Sequence, residues 1–260
     1  MEIKTKILNI VLVTFFLCSC QGNRSDGNVQ EEYYGNGNLR SETPLKGNLI
    51  DGVRKEYDVN GKLVKTIEYA NGNIEGFITM YNPANGKVTY KATIKNNVQE
   101  GLLLQYYDNG AKFKESTYVG GRIDGEAKTY WPDSTIKSIG YYKKGKPGLG
   151  LKEFDRSGNE LKMPTMVTRE IKDYSKNTLI VEVSLSKGSN VEFYVTDLED
   201  GRYFPKDAPK IESKNGVAKV EYKFYKGAKI LRVVNFVAKY KTIYGNTLVL
   251  QKKYKPADFK

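Results

Sequence analysis

A glycine returns every 24 or 25 residues through the first part of this chain: Gly37, Gly61, Gly86 and Gly110, then, two periods on, Gly158. Ser134 stands at the skipped position. An aromatic precedes most of these positions by four residues, at Tyr33, Tyr57, Tyr106, Tyr130 and Phe154. Tyr81 precedes Gly86 by five, because Asn82-Pro83-Ala84-Asn85 holds one extra residue. A second glycine follows the first by fifteen, at Gly52, Gly76, Gly101 and Gly125, with Gly148 in a shorter fifth unit. Such a period describes a row of equivalent units, none of which can bury an apolar face without its neighbours.

The content of the unit is strand. Val88, Tyr90, Ala92 and Ile94 alternate with Thr89, Lys91, Thr93 and Lys95. Period two is the pattern of a half-buried antiparallel strand. Asn36-Gly37, Asn60-Gly61, Asn85-Gly86 and Asn109-Gly110 read as two-residue hairpin turns, since both residue types tolerate positive φ. Asn71-Gly72 and Gly120-Gly121 mark a second turn leading to the next hairpin. No comparable stretch has the 3.6-residue apolar period of a helix.

The pattern Gly-x4-Tyr-x3-Gly, with an aromatic or aliphatic at +8 (Leu45, Tyr69, Ile94, Tyr118, Tyr142) and glycine at +15, resembles the MORN repeat variant. Bacterial chains of this kind are grouped as YwqK-type antitoxin-like proteins. The resemblance covers about residues 31–161 and implies an elongated antiparallel sheet of β-hairpins. It implies little about activity, because a fold hosts many functions. For the repeat glycines it implies turns. For Tyr33, Tyr57, Tyr81, Tyr106 and Tyr130 the alternatives are stacking between units and a collective binding face for a protein or glycan.

After Gly158 the period is lost. Lys162-Met163-Pro164-Thr165 reads as a linker, and shorter alternating strands follow. Leu179, Val181, Val183 and Leu185 share one face; Val191, Phe193 and Val195 repeat the pattern, as do Ala218, Val220, Tyr222 and Phe224. A run over residues 229–240 puts Ile230, Val234, Phe236 and Ala238 together, and Tyr244-Gly245-Asn246 turns into a strand around Leu248 and Leu250. About seven short strands predict a two-sheet sandwich over residues 166–260. It is immunoglobulin-like in strand count and lacks the cysteine pair of antibody domains. The expected fold class is all-β throughout.

The N-terminus is different. Lys4 and Lys6 precede the apolar run Ile7 to Leu17, too short for a convincing bilayer span and shaped like an export leader. The run ends in Leu17-Cys18-Ser19-Cys20, which resembles a lipobox. The resemblance implies a leader over residues 1–19, lipidation of Cys20, and a tether over 20–30. An ordinary leader with two incidental cysteines is the alternative. Both cysteines of the chain lie here, so the remainder has no disulfide, no Cys-x-x-Cys and no thiolate metal site.

The formal charge of +12 is uneven. Residues 31–161 hold 19 Lys/Arg against 17 Asp/Glu, a balance of +2; residues 162–260 hold 20 against 11, or +9. In an exported protein this excess suits anionic headgroups, an acidic glycan or an acidic protein rather than nucleic acid; a merely solubilising lysine-rich surface is the alternative. Lys252, Lys253 and Lys255 could touch headgroups or simply end the last strand in water.

The chain has no histidine. Ser-His-Asp catalysis, Cys-His catalysis and histidine metal sites are therefore excluded. No phosphate-loop pattern occurs, and Lys144-Gly145-Lys146-Pro147-Gly148 falls at a repeat turn. Glu115, Asp124 and Glu126 could form a hydrolytic carboxylate pair or a solvated surface. Asp197, Glu199 and Asp200, before Gly201, could hold calcium or form a polar turn. These features predict a non-enzymatic, cofactor-free, lipid-anchored protein of the cell envelope, at the outer membrane of a Gram-negative bacterium. It would bind or scaffold a protein or acidic glycan through its repeat sheet. The alternative is an immunity or antitoxin protein that neutralises an envelope toxin.

Overall fold

The computed structural model describes residues 28–223 and 233–255, and these contain strands and no helix. Cys20 and the leader, together with Phe224 and Ile230, lie outside the described residues.

The repeat region is one antiparallel sheet of 13 strands. In chain order these are β1 (Asn28–Tyr33), β2 (Leu39–Lys46), β3 (Leu49–Ile50), β4 (Gly52–Tyr57), β5 (Leu63–Ala70), β6 (Asn73–Tyr81) and β7 (Val88–Lys95). Then follow β8 (Val98–Tyr106), β9 (Lys112–Val119), β10 (Arg122–Tyr130), β11 (Ile136–Lys143), β12 (Lys146–Pro147) and β13 (Lys152–Glu153). Almost every strand pairs with its sequence neighbours, so the sheet is a meander.

The two ends of each hairpin use different turns. At the first end the loop holds three residues. Tyr34 N–H bonds the Asn38 carbonyl at 2.8 Å, and Gly37 N–H bonds the Tyr34 carbonyl at 2.9 Å. The same two bonds recur at Asp58, Tyr107, Trp131 and Asp155. Only the last loop residue has positive φ: Gly37 (85°), Gly61 (79°), Gly110 (91°), Ser134 (70°) and Gly158 (82°). This is a type I turn closed by a residue in the left-handed region. The expected two-residue Asn-Gly turns are therefore wrong at these positions. The asparagine stays at negative φ, where its side chain caps the loop: Asn36 Oδ1 accepts from Asn38 N–H and Asn109 Oδ1 from Ala111 N–H. At Gly86 (70°) the loop holds four residues, with Asn82 N–H bonded to the Lys87 carbonyl.

True two-residue turns lie at the other end. Asn71-Gly72, Asn96-Asn97, Gly120-Gly121 and Lys144-Gly145 each put both residues at positive φ. That matches the right-handed strand twist.

The second glycine of the unit is a mid-sheet bulge. Tyr118 pairs with Ile123 and Ser116 with Ala127, so Asp124, Gly125 and Glu126 face Thr117 alone. The same three-against-one step occurs around Gly76 and Gly101. Gly76 has φ +119°, and a Cβ there would meet the Glu68 carboxylate at 2.1 Å. Only glycine accepts both conditions.

The described residues of the second domain form eight strands in two four-stranded sheets. One has the order β14 (Met166–Asp173), β15 (Thr178–Leu185), β19 (Val217–Lys223), β18 (Ser213–Lys214). The other has β17 (Lys210–Ile211), β16 (Val191–Val195), β20 (Val234–Lys241), β21 (Thr247–Tyr254). Leu179, Val181, Val183, Phe193, Ala218, Phe236 and Ala238 are fully buried where the inner faces meet. The alternation expected for β15 is what the structure shows; Val195, by contrast, is half-open at the end of β16.

Strands β16 and β20 are buried on both faces. Tyr194, Val237 and Val249 form a second cluster under Leu198 and Phe204, with Leu149 of the repeat region packed against it. The loop after β16 thus folds back over its own sheet and meets the end of the repeat sheet. Arg202 carbonyl accepts from Leu149 N–H at 3.0 Å, and Pro147 carbonyl accepts from Phe204 N–H at 2.9 Å.

Candidate functional site

Strand alternation assigns the repeat residues to two faces. One carries Ala92, Ile94 and Leu103, a buried cluster, with Ile78 partly buried against it. The +8 residues Tyr69, Ile94, Tyr118 and Tyr142 lie on this face, each opposite a bulge glycine: Gly52, Gly76, Gly101 and Gly125.

The other face carries Tyr33, Tyr57, Tyr81, Tyr106 and Tyr130 in one row, each at the end of its unit's first strand. Tyr33 is 58% exposed and the other four are half-buried. The five rings do not stack on one another among the described residues. Several of their hydroxyls reach polar neighbours on the same face: Tyr33 donates to Glu31 at 2.5 Å and Tyr130 to Glu115 at 3.3 Å, while Tyr81 lies 3.4 Å from Thr66 Oγ1. Burial, with Glu42 nearby, raises the Tyr57 phenol. Burial and then Glu115 do the same at Tyr130. Tyr57 and Tyr130 therefore stay neutral hydrogen-bonding groups at physiological pH.

Four residues further back along the same strands is an apolar row. Val29, Val53, Phe77 and Leu102 follow one another across four units and are 55%, 45%, 37% and 40% exposed. Glu126 takes the position in the fifth unit. Lys91 places its ammonium 3.8 Å from the centre of the Phe77 ring. Between the two rows the charges are matched: Lys55 with Glu42 at 3.0 Å, Lys112 with Glu115 at 2.6 Å, Lys128 with Glu126 at 2.6 Å. The face combines aromatic and apolar residues with three ion pairs, and it also carries Glu31, Glu68 and Lys91.

The carboxylates considered for hydrolysis are engaged otherwise. Glu115 is held below its usual range chiefly by the Lys112 ammonium, Glu126 pairs with Lys128, and Asp124 Oδ2 accepts from Lys144 N–H at 3.1 Å. That last bond belongs to a series. Asp51 accepts from Asn71 N–H at 3.0 Å, Glu75 from Asn96 N–H at 2.8 Å and Glu100 from Gly120 N–H at 2.7 Å. Each acid stands immediately before a bulge glycine and closes the turn of the next unit. The next N–H of each turn goes to the carbonyl just before that acid, as Gly121 does to Gln99 at 3.0 Å. The repeated acid-glycine dipeptide was visible in the sequence, but its partner some 20 residues on was not.

The acidic cluster Asp197, Glu199 and Asp200 is also spent. Asp197 accepts from Asn235 Nδ2 at 2.5 Å; Glu199 pairs with Lys146 and Asp200 with Lys143, both at 2.5 Å. Asp200-Gly201 is a turn with φ of 49° and 65°. The last two ion pairs cross from the second domain to the repeat sheet. Gly148 lies in the same seam, where a Cβ would meet the Tyr203 ring at 2.9 Å. The guanidinium of Arg202 covers Tyr141 at 4.0 Å.

Deeper in the junction, Glu153 is 1% exposed. It accepts from Thr242 Oγ1 at 2.5 Å and Asn246 Nδ2 at 2.7 Å. Trp131 meets Tyr244 edge-on at 5.3 Å, with Lys137 and Arg156 over its ring at 4.5 and 4.8 Å. Sequence reasoning missed this junction because its partners lie far apart in the chain.

The fold and spacing define a β-hairpin repeat array joined to a second β domain. The MORN repeat variant family matches residues 27–46, 50–74 and 123–144, so the chain carries MORN-variant repeats. The units between these matches have the same bulges and turns. Repeats of this kind generally mediate protein or membrane binding. No curated protein matches the chain.

Proposed function

We propose that this protein is a lipid-anchored cell-envelope module, without catalytic activity, that binds a protein through the tyrosine face of its repeat sheet. The observation that carries the reading is the row Val29, Val53, Phe77 and Leu102, one residue per unit on alternate strands with Pro44, Glu68 and Thr93 between them, lying open beside the row of five tyrosines. Isolated exposed apolar residues are ordinary, but a row aligned over four units is the anatomy of an interface core. The ion pairs, with Glu31 and Glu68 beside Lys91, leave this face without an excess of positive charge, which favours a protein over an acidic glycan. The carboxylates are occupied by lysines and backbone amides, and the chain has no histidine, which supports the non-catalytic assignment.

The anchor rests on Leu17-Cys18-Ser19-Cys20. From Cys20 to Asn28 an extended chain reaches at most about 30 Å, so the first repeat would work close to a bilayer. The residue after Cys20 is Gln21, which favours the outer membrane. The second domain fits an immunoglobulin-type sandwich. Its sheet orders β14-β15-β19-β18 and β17-β16-β20-β21 correspond to the A-B-E-D and C′-C-F-G arrangement.

A photoreactive residue at Phe77 tests the face in intact cells. A discrete crosslinked species, lost in a Val53→Lys/Leu102→Lys variant that folds normally, is the expected result. Crosslinks that are absent, or unchanged in that variant, would remove the proposal. Cys20→Ala should abolish fatty-acid labelling and release the protein from membranes; persistent labelling refutes the anchor.

A further inference from the structure

The 13-stranded sheet has two unlike ends. Its last strands are covered by the second domain through the Gly148–Tyr203 bridge and the Lys143 and Lys146 ion pairs. Among the described residues its first strand, β1, pairs with β2 on one side only, and all six of its residues are exposed. Alternate N–H and C=O groups of β1 therefore face outward without a strand partner among the described residues, which makes a template for strand addition.

The period says what is missing there. Every later unit places its first strand against the second strand of the unit before it. At the place equivalent to Glu31, two of the four seams carry Lys55 opposite Glu42 and Lys128 opposite Glu115; the other two carry Thr79 opposite Thr66 and Leu104 opposite Lys91. In the first two, a lysine on the unit's first strand meets a glutamate on the preceding strand. On β1 that sign is reversed. Glu31 occupies the lysine position, and Glu32 follows it on the opposite face. Glu31 accepts only from Tyr33, and Glu32 only from the Ser41 hydroxyl at 3.2 Å; neither has a cation partner among the described residues. Val29 and Tyr33 flank Glu31 on its own face and are 55% and 58% exposed.

We propose that the free edge of β1 binds an extended basic segment of a partner protein, which adds to the sheet as the strand of an absent preceding unit. Two adjacent basic residues fit, because neighbouring positions of one strand reach Glu31 on one face and Glu32 on the other. An apolar or aromatic residue belongs two positions from the base that meets Glu31, over Val29 or Tyr33. A second copy of this chain pairing β1 to β1 is disfavoured, since it gathers four glutamates at one seam. The site goes beyond the tyrosine-face reading: it uses the backbone edge of β1, shares only Val29, Glu31 and Tyr33 with that face, and does not require the lipid.

The test uses the full chain in detergent and three eight-residue peptides. One carries adjacent lysines flanked by valine and tyrosine; a second has the same composition with the lysines separated; a third has proline at two central positions. Binding is read by fluorescence anisotropy and by deuterium exchange. The first peptide should bind and slow exchange at the amides of Val29, Glu31 and Tyr33. The other two should bind at least ten-fold more weakly. Glu31→Lys/Glu32→Lys should weaken the first peptide by at least ten-fold, while Glu160→Lys, remote from the edge, should change it less than two-fold. Equal binding of all three peptides, unchanged exchange in β1, or no binding at millimolar peptide would overturn the proposal. The glutamates would then serve only to keep the edge unpaired. Failure here, with crosslinks from Phe77 retained, would leave the tyrosine-face proposal standing.

Discussion

The repeat sheet and the second domain are both antiparallel β, yet they are held together by different means. In the sheet, neighbours in space are neighbours in sequence, and the buried core among the described residues is the small cluster of Ala92, Ile94 and Leu103 with its flanks. Much of the holding is polar and periodic. The tie from Asp51 to Asn71 N–H recurs in later units, and the Tyr34 and Tyr107 hydroxyls donate to the Tyr57 and Tyr130 carbonyls at 2.8 and 2.7 Å. In the second domain β15 pairs with β19 and β16 with β20, strands remote in sequence, and Phe193 and Phe236 are completely buried. The contrast teaches that a single-layer sheet can substitute repeated side-chain-to-backbone bonds for a deep core, whereas a sandwich of this size cannot.

The comparison breaks most sharply at Phe236. Phe236→Ala should cost about 3–5 kcal/mol through the cavity it leaves. The loss should fall on the second domain and be read as a lowered midpoint in denaturant. An equal loss in the repeat sheet would mean that the two parts unfold as one.

Glu153→Ala addresses that coupling directly. It leaves the Thr242 hydroxyl and the Asn246 amide without their acceptor, at a cost of about 2–3 kcal/mol. The single tryptophan, Trp131, sits at the same junction. Its fluorescence should change at a lower temperature than the far-ultraviolet circular dichroism. Coincident transitions would show that the ion pairs to Asp200 and Glu199 suffice.

Gly76→Ala probes the sheet alone. A non-glycine residue at φ +119° costs about 1–3 kcal/mol, and Glu68 must also swing away. Gly37→Ala, in an open turn, should cost about 1–2 kcal/mol. If the two variants match, as measured by urea midpoints, the bulge carries no special constraint. Glu100→Ala removes one inter-unit bond and should cost about 1 kcal/mol, with faster amide exchange confined to Gly120.

The smallest effect is one of pH. Glu192 is held at about 2, first by the Lys210 ammonium and then by Lys239, against an ordinary 4.5. A carboxyl depressed in the folded state stabilises above its unfolded value and loses that contribution as pH falls from about 4.5 towards 2. The carboxylate is 43% exposed, so the contribution is a fraction of the full linkage. Melting temperature against pH should fall less steeply for Glu192→Gln, by at most about 3 °C. Parallel curves would contradict it.

The sequence by itself determined the strands, the repeat length and the inward face of β15. These follow from local rules: period two, the tolerance of glycine and asparagine for positive φ, and the recurrence of one unit. It did not determine turn size. Asn36-Gly37 suits a two-residue turn as well as the end of a three-residue loop, and only the register of the flanking strands chooses between them. Nor could it show that Gly76 kinks a strand rather than ends one, because the bulge exists only against a partner strand. Tertiary structure alone turned Glu199 and Asp200 from a candidate cation site into a clasp, buried β16 and β20 on both faces, and left β1 with an open edge among the described residues. The physical reason is range: backbone preference and alternation act over a few residues. The pairs that close this molecule are 20 to 93 residues apart, and only the folded chain brings them within hydrogen-bonding distance.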